Sequence, residues 1–195
     1  MSSSNSMSGI SGIANYIFEA GMLKRVKRSG WWAEQIKNPE SVAEHSWRAS
    51  VLAFILANLE GFDDESANRL CTAAAFHDMH ETRLLDLNKI TARYLSVGDS
   101  IEKKVERDQV QGMNANLKDS LLGVMRLSDD ERIILKDADY LECAFQAKEY
   151  LGDEGAKIWL DNITERIRTK SAKSLMADLR KTNPSEWFSG LKKLE

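Results

Sequence analysis

Proline is nearly absent from this chain. Pro39 and Pro184 are the only two, and no proline falls between them. Proline breaks helix interiors, so such a stretch favours a helical protein. Cysteine is as sparse: Cys71 and Cys143 alone exclude a disulfide framework in 195 residues, and both read as reduced core residues. No excess of positive charge exists, since the formal net charge is −3 and the pI about 5.7. That argues against a nucleic-acid polymer as partner, which needs a broad basic surface, but not against a single nucleotide. The longest uninterrupted apolar run is Val51 to Ala57, far short of the roughly 20 residues of a membrane span. Met1 to Gly12 is rich in Ser, Gly and Asn and lacks the basic and apolar regions of a signal peptide. It is expected to be a floppy tail, and the cytoplasm is the default location.

What remains is enough for one domain with a sizeable core, over 13–195. Apolar periodicity predicts a first helix over 13–23, followed by the basic segment 23–28. Ser41, with Glu44 three residues on, forms a capping box ahead of a helix over 42–59. Further helices are expected over 65–82, 100–117, 118–127, 131–150 (capped by Asp129 or Asp130), 155–169 and 171–181. Neither strand alternation nor an internal repeat is found. The expected fold class is all-α, a compact helical domain.

Histidine is the third scarcity, and it is informative. His45, His77 and His80 are the only three, and each lies beside acidic residues. Neutral imidazole and carboxylate both suit first-row divalent metals. A lone histidine is more often a surface or satisfied core residue, and a His-Asp pair also arises by chance. Further on, Leu135-Lys-Asp-Ala-Asp139-Tyr-Leu141 places acids in an apolar helical stretch. Helix interiors disfavour Asp, so one facing the core needs a partner. Asp137 and Asp139 lie about 200° apart around the axis, so only one can face a site within the fold.

Taken together, these residues resemble the HD superfamily of metal-dependent phosphohydrolases: Glu44-His45, then His77-Asp78 on a second helix, then Lys136-x-Ala-Asp139 on a later one. The match is closest to the HD-domain 5′-deoxynucleotidases, through Leu23-Lys24, Arg28-x-Gly30-Trp31, Asn38-Pro-Glu-Ser-Val-Ala-Glu-His45, His77-Asp78-x-x-Glu81 and Asp86. It covers roughly residues 13 to 155. The resemblance implies an HD-type fold, metal ligands His45, His77, Asp78 and Asp139, and a nucleoside 5′-monophosphate as substrate. It also implies a homodimer. Two departures stand out. The family usually has Gly before the equivalent of Asp86 and a Pro-Thr pair after it, where this chain has Leu85 and Leu87-Asn88-Lys89; and His80 is not a usual ligand, so it is expected in an outer shell or exposed.

Each part has a physical reading beside the resemblance. Four ligands leave an open position for water or a phosphate oxygen, and a bound metal lowers the water pKa from about 15.7 toward roughly 7. Glu81, four residues after His77, is placed to orient or deprotonate that water, or is a solvated helix-end residue. Arg28 offers a planar fork to phosphate oxygens. Trp31 stacks on a base or anchors the loop in the core. Asp86 takes a sugar hydroxyl or the leaving oxygen, as the resemblance implies, or caps its loop. No histidine follows His80, so an imidazole-rich two-metal site is excluded, and one divalent ion (Mn, Fe, Co or Zn) per chain is expected. The alternatives are an HD phosphohydrolase acting on another phosphorylated nucleotide such as an alarmone, and a non-catalytic metal-stabilised binding module.

Overall fold

The capping box predicted at Ser41 forms as the sequence dictates. In the computed structural model, which describes residues 10–95 and 98–191, the Ser41 hydroxyl accepts from the Glu44 N–H, and the Glu44 carboxylate accepts from the Ser41 N–H at 2.6 Å. This fixes the start of α2 (Val42–Leu59), the helix that packs against both of the other core helices described below. Before it comes α1 (Ile10–Ala20), running into a 3-10 turn over Gly21–Lys24. After it come α3 (Asp64–Phe76), α4 (Glu81–Leu84), α5 (Asp99–Gln109), α6 (Ala115–Gly123), α7 (Asp129–Thr164) and α8 (Lys170–Leu179). Among the described residues there is no strand, only an isolated bridge between Lys27 and Ser41. That bridge matters, because it lays the basic segment against the N-terminus of α2. Among the described residues no helix is long and apolar enough to cross a membrane.

The main core lies between α2, α3 and α7. Its contact faces are rich in small side chains: Ala53 and Ala57 on α2, Ala67, Ala73 and Ala74 on α3, Ala138, Ala144 and Ala147 on α7. Alanine lets helix axes approach closely while Leu52, Leu56, Leu70, Ile134 and Leu141 fill the space between. A second cluster, with Tyr16, Leu23, Val26, Val42, Met79 and Val110, joins α1 and α5 to the turn after α3. Here α1 passes so close to the turn after α5 that a Cβ on Gly12 would lie 2.4 Å from the Gly112 carbonyl oxygen.

Several expected boundaries move, for local reasons. The first helix begins at Ile10, inside the expected tail; residues 1–9 of that tail lie outside the described residues. The helix expected over 65–82 stops at Phe76, because His77 to His80 turn before Glu81 opens α4. The helices expected over 100–117 and 118–127 end and begin earlier, since Asn114 caps α6 by accepting from the Leu117 N–H. Ser128, not Asp129 or Asp130, caps α7, again in a capping box, with Glu131. The helices expected over 131–150 and 155–169 are one element kinked at Gly152, whose φ of 68° and ψ of −172° are open to glycine alone at little cost.

Candidate metal centre

Four side chains from three segments converge at one end of the α2–α3–α7 core. His45 lies in the first turn of α2 and is completely buried. His77 and Asp78 follow directly on the last turn of α3. Asp139 lies one third of the way along α7. The His45 Nε2 is 3.3 Å from the Asp139 Oδ1 and 3.8 Å from the Asp78 Oδ2, and the His77 Nε2 is 3.1 Å from that same Asp78 oxygen. Ligands held about 2.1 Å from one ion lie about 3.0–3.4 Å apart, so these spacings match a shared cation.

Both rings are fixed by their other nitrogen. The His77 Nδ1 lies 2.7 Å from the Ala74 carbonyl oxygen, which can only accept, so Nδ1 carries the proton and Nε2 presents a lone pair. The His45 Nδ1 faces the buried Glu142 carboxylate at 2.5 Å. The test of fit is what the inward atoms lack. His45 Nε2, His77 Nε2 and Asp78 Oδ2 are buried with no hydrogen-bond partner. Each such atom costs about 1–3 kcal/mol unless something supplies the missing interaction. A divalent cation among two imidazole nitrogens and two carboxylates supplies it, so the donor set fits the metal that the sequence implies. Burial opposes charge on Asp78 and Asp139. Without an ion, protonated His77 and His45 rings and Arg28 nonetheless hold the Asp78 carboxyl well below the usual carboxylate range, and His45, Lys136 and His77 do the same for Asp139; a bound cation takes the place of those ring protons at Nε2.

Of the two acids left open on α7, Asp139 faces the site. Asp137 turns away and accepts from the Arg168 and Thr169 N–H groups, fixing the turn into α8. Glu81 comes to the centre by a different route from the one expected. His77 and Glu81 do not share a helix; the turn over 77–80 folds Glu81 back, so that atoms of Asp78, His80 and Glu81 lie within 4.8 Å of one another. The Gln109 amide holds this turn by donating to the Met79 carbonyl at 2.9 Å. Burial, then the Asp78 and Asp86 carboxylates, push the Glu81 carboxyl up to about 9. His80 is not exposed as allowed for: its Nδ1 is buried without a partner.

The substrate-side residues read differently once placed. Arg28 reaches the centre because its segment pairs with residues 40–42, the Arg28 N–H donating to the Glu40 carbonyl at 3.0 Å. Its Nη1 is 3.7 Å from Asp78 and donates to Asp86 at 3.1 Å. The other Asp86 oxygen accepts from the Ser29 N–H at 2.7 Å and hydroxyl at 2.8 Å. Asp86 is therefore a clamp that aims Arg28, rather than a carboxylate free for a sugar. Trp31 is a correction. It is 2% exposed, stacked on Trp159 at 4.6 Å, edge-on to Tyr150, and donates to Glu40. With its faces and N–H all occupied, it anchors the loop and offers nothing to a base.

Two residues at the centre escaped the sequence reading. Glu142, three residues after Asp139, is fully buried against His45. Cys143, four after Asp139, accepts from the Arg28 Nη2 at 3.4 Å and is a wall of the site as well as a core residue. The signal that flagged Asp139, an acid inside an apolar helical stretch, was equally present for Glu142.

Residues 20–179 match the family described as HD domain. The chain belongs to that family. Among HD proteins, zebrafish 5′-deoxynucleotidase HDDC2 is 30% identical over 143 residues, covering 69% of this chain and 68% of the relative. A structural-genomics crystal structure, APC5600, superposes with a TM-score of 0.76 at 37% identity, covering 91% of this chain and 99% of that one. The cyanophage S-2L HD phosphohydrolase DatZ, solved with dA and one catalytic Zn2+ ion, superposes at 0.57 with 16% identity over 85% of this chain and 96% of its own, a likeness of fold alone.

The departure at Leu85, where HD nucleotidases usually have Gly, has a backbone consequence. Leu85 takes φ 63° and ψ 167°, a region essentially reserved for glycine and costing other residues about 1–3 kcal/mol. The strain lies directly before Asp86 and is held by the Asp86 clamp. Leu85→Gly is expected to be more stable than Leu85→Ala by about 1 kcal/mol or more, since both lose the side chain but only Gly relieves the backbone. Denaturant unfolding of the pair measures this; equal stabilities would show that the backbone there is relaxed.

Proposed function

We propose that this chain is a metal-dependent phosphomonoesterase that hydrolyses (deoxy)nucleoside 5′-monophosphates to nucleoside and inorganic phosphate. The observation that carries the reading is the convergence of unpartnered, buried His45, His77 and Asp78 atoms beside Arg28 and Glu81. The name of the HDDC2 relatives supports the substrate class.

His45, His77, Asp78 and Asp139 would hold one divalent ion, Mn, Fe, Co or Zn. When bound, such an ion supplies positive charge at the phosphoryl oxygens and acidifies water. The chain's own groups do the rest. Arg28, aimed by Asp86 and Ser29, offers its guanidinium to a phosphoryl oxygen and stabilises the charge that develops there. Water attacks phosphorus as the bond to the 5′-oxygen breaks. Glu81 takes the attacking water's proton; the nucleoside 5′-oxygen takes one from solvent as it leaves, and Glu81 returns its proton to solvent. Glu81 reads as protonated on the chain alone, and a cation beside Asp78 favours its ionised form, which a base requires. A purely structural metal site has no use for a buried, unpartnered carboxyl in that position, which favours an enzyme over a binding module. Asp86 acts through Arg28, as a positioning residue. One ion follows from the histidine count, because no imidazole beyond His80 is available for a second.

The reading includes a homodimer. Its support on this chain is the outer face of α2, where Trp47, Val51, Phe54, Ile55 and Leu59 all stand exposed along one arc. A standard interface buries about 800 Å2 per partner, and such an arc supplies the apolar centre of one, self-complementary about a twofold axis.

Two outcomes are expected. Phosphate should be released from nucleoside 5′-monophosphates in a nucleotide panel, and Glu81→Ala should lose roughly 10²–10⁴ in turnover while keeping metal and substrate binding. Release from none of them, or from an alarmone alone, contradicts the substrate; a fully active Glu81→Ala removes the base. Sedimentation should give a dimer that Phe54→Glu dissociates; a wild-type monomer at micromolar concentration contradicts the dimer.

A further inference from the structure

The two helices that carry His45 and Asp139 also carry a second, matched set of groups immediately behind them. On α2, Arg48 follows His45 by one turn. On α7, Glu142, Gln146 and Glu149 follow Asp139 at spacings of three, four and three residues, which keeps them on one stripe. Arg48 spans all three. Its Nε donates to the Glu142 Oε1 at 2.9 Å, its Nη2 to Gln146 at 2.6 Å, and its Nη1 to Glu149 at 2.8 Å. The other Glu142 oxygen meets the His45 Nδ1. Both Glu142 and His45 are completely buried.

From this arrangement we infer that Glu142, backed by Arg48, is a positioning residue for the metal centre. It accepts the His45 Nδ1–H, fixes the tautomer that turns the Nε2 lone pair inward, and raises the basicity of that nitrogen. The inference rests on the metal-centre reading above. It rests on geometry, because each donor and acceptor is accounted for. A carboxylate at this depth would be costly without partners. The ring N–H and the guanidinium together satisfy it, and Arg48 passes the restraint to Glu149, which reaches the surface. A ring anchored at Nδ1 cannot swing the Nε2 lone pair away from the other ligands. Carboxylate partners of metal-binding histidines carry this role elsewhere, where their loss typically weakens metal binding 10–100-fold.

A bland alternative exists: Glu142 and Arg48 form only a buried ion pair between α2 and α7. The two readings part on metal affinity. Glu142→Gln keeps shape and loses the charge. Competition against a chelator, using Zn2+ or Co2+ with the full-length protein, should show its metal dissociation constant raised 10–100-fold, with near wild-type turnover recovered at saturating metal. Arg48→Lys, which cannot span the stripe but keeps a cation, should show a smaller loss in the same direction. A variant that binds metal as wild type does, with only its melting temperature lowered, overturns the inference. If Glu142→Gln fails to fold, Arg48→Lys decides by the same comparison. Wild-type protein that binds neither ion would instead overturn the metal-centre reading itself, which keeps the two failures distinguishable.

Discussion

The structure depends on a debt at one end of its core. Two imidazole nitrogens and a carboxylate oxygen are buried there with nothing to bond to. Folding around apolar and alanine-rich helix faces is ordinary, and nothing in such packing requires polar atoms to be left unsatisfied. At about 1–3 kcal/mol for each orphaned atom, the arrangement opposes folding unless a cation completes it. The surrounding contacts make sense as devices for holding these atoms still. Ala74 orients one ring and Glu142 the other; Lys136 holds one oxygen of Asp139; Gln109 secures the turn on which Asp78 and Glu81 lie.

The same constraint explains the arrangement of charge around the centre. Arg28 approaches Asp78 but is kept from collapsing wholly onto it, because Asp86 and Cys143 hold its two ends. Asp86 is in turn fixed by the Ser29 backbone and hydroxyl. The result is a guanidinium held at a fixed place beside a carboxylate-rich centre. The strained Leu85 lies at the hinge of this clamp. Backbone strain of this kind persists where surrounding contacts over-determine it, and it clusters at functional sites.

Much of this was legible in the sequence, and unevenly so. The capping box at Ser41 and Glu44 located α2 correctly, because a cap is a local rule with local consequences. The convergence of His45, His77, Asp78 and Asp139 was legible because histidine is scarce here and because the resemblance to the HD superfamily picked Asp139 over Asp137. The route of Glu81 was not, because a turn that interrupts a helix at His77 is set by the packing of Met79 and the bond from Gln109, residues far apart in sequence. Trp31 could be read as a base platform or a core anchor until Trp159 and Tyr150 were placed against it. Glu142 carried the same signal as Asp139, an acid inside an apolar stretch, but its partners, His45 and Arg48, lie on another helix and only the packing of α2 on α7 brings them to it.

The central claim is that the four ligands share one ion. Anomalous X-ray scattering at a transition-metal edge, from crystals grown without added metal or chelator, tests it most directly. The account predicts one fully occupied peak per chain, about 2.0–2.2 Å from His45, His77, Asp78 and Asp139. Two fully occupied peaks about 3.5–4 Å apart, the separation of two-metal hydrolases, or no peak among these residues, would contradict it.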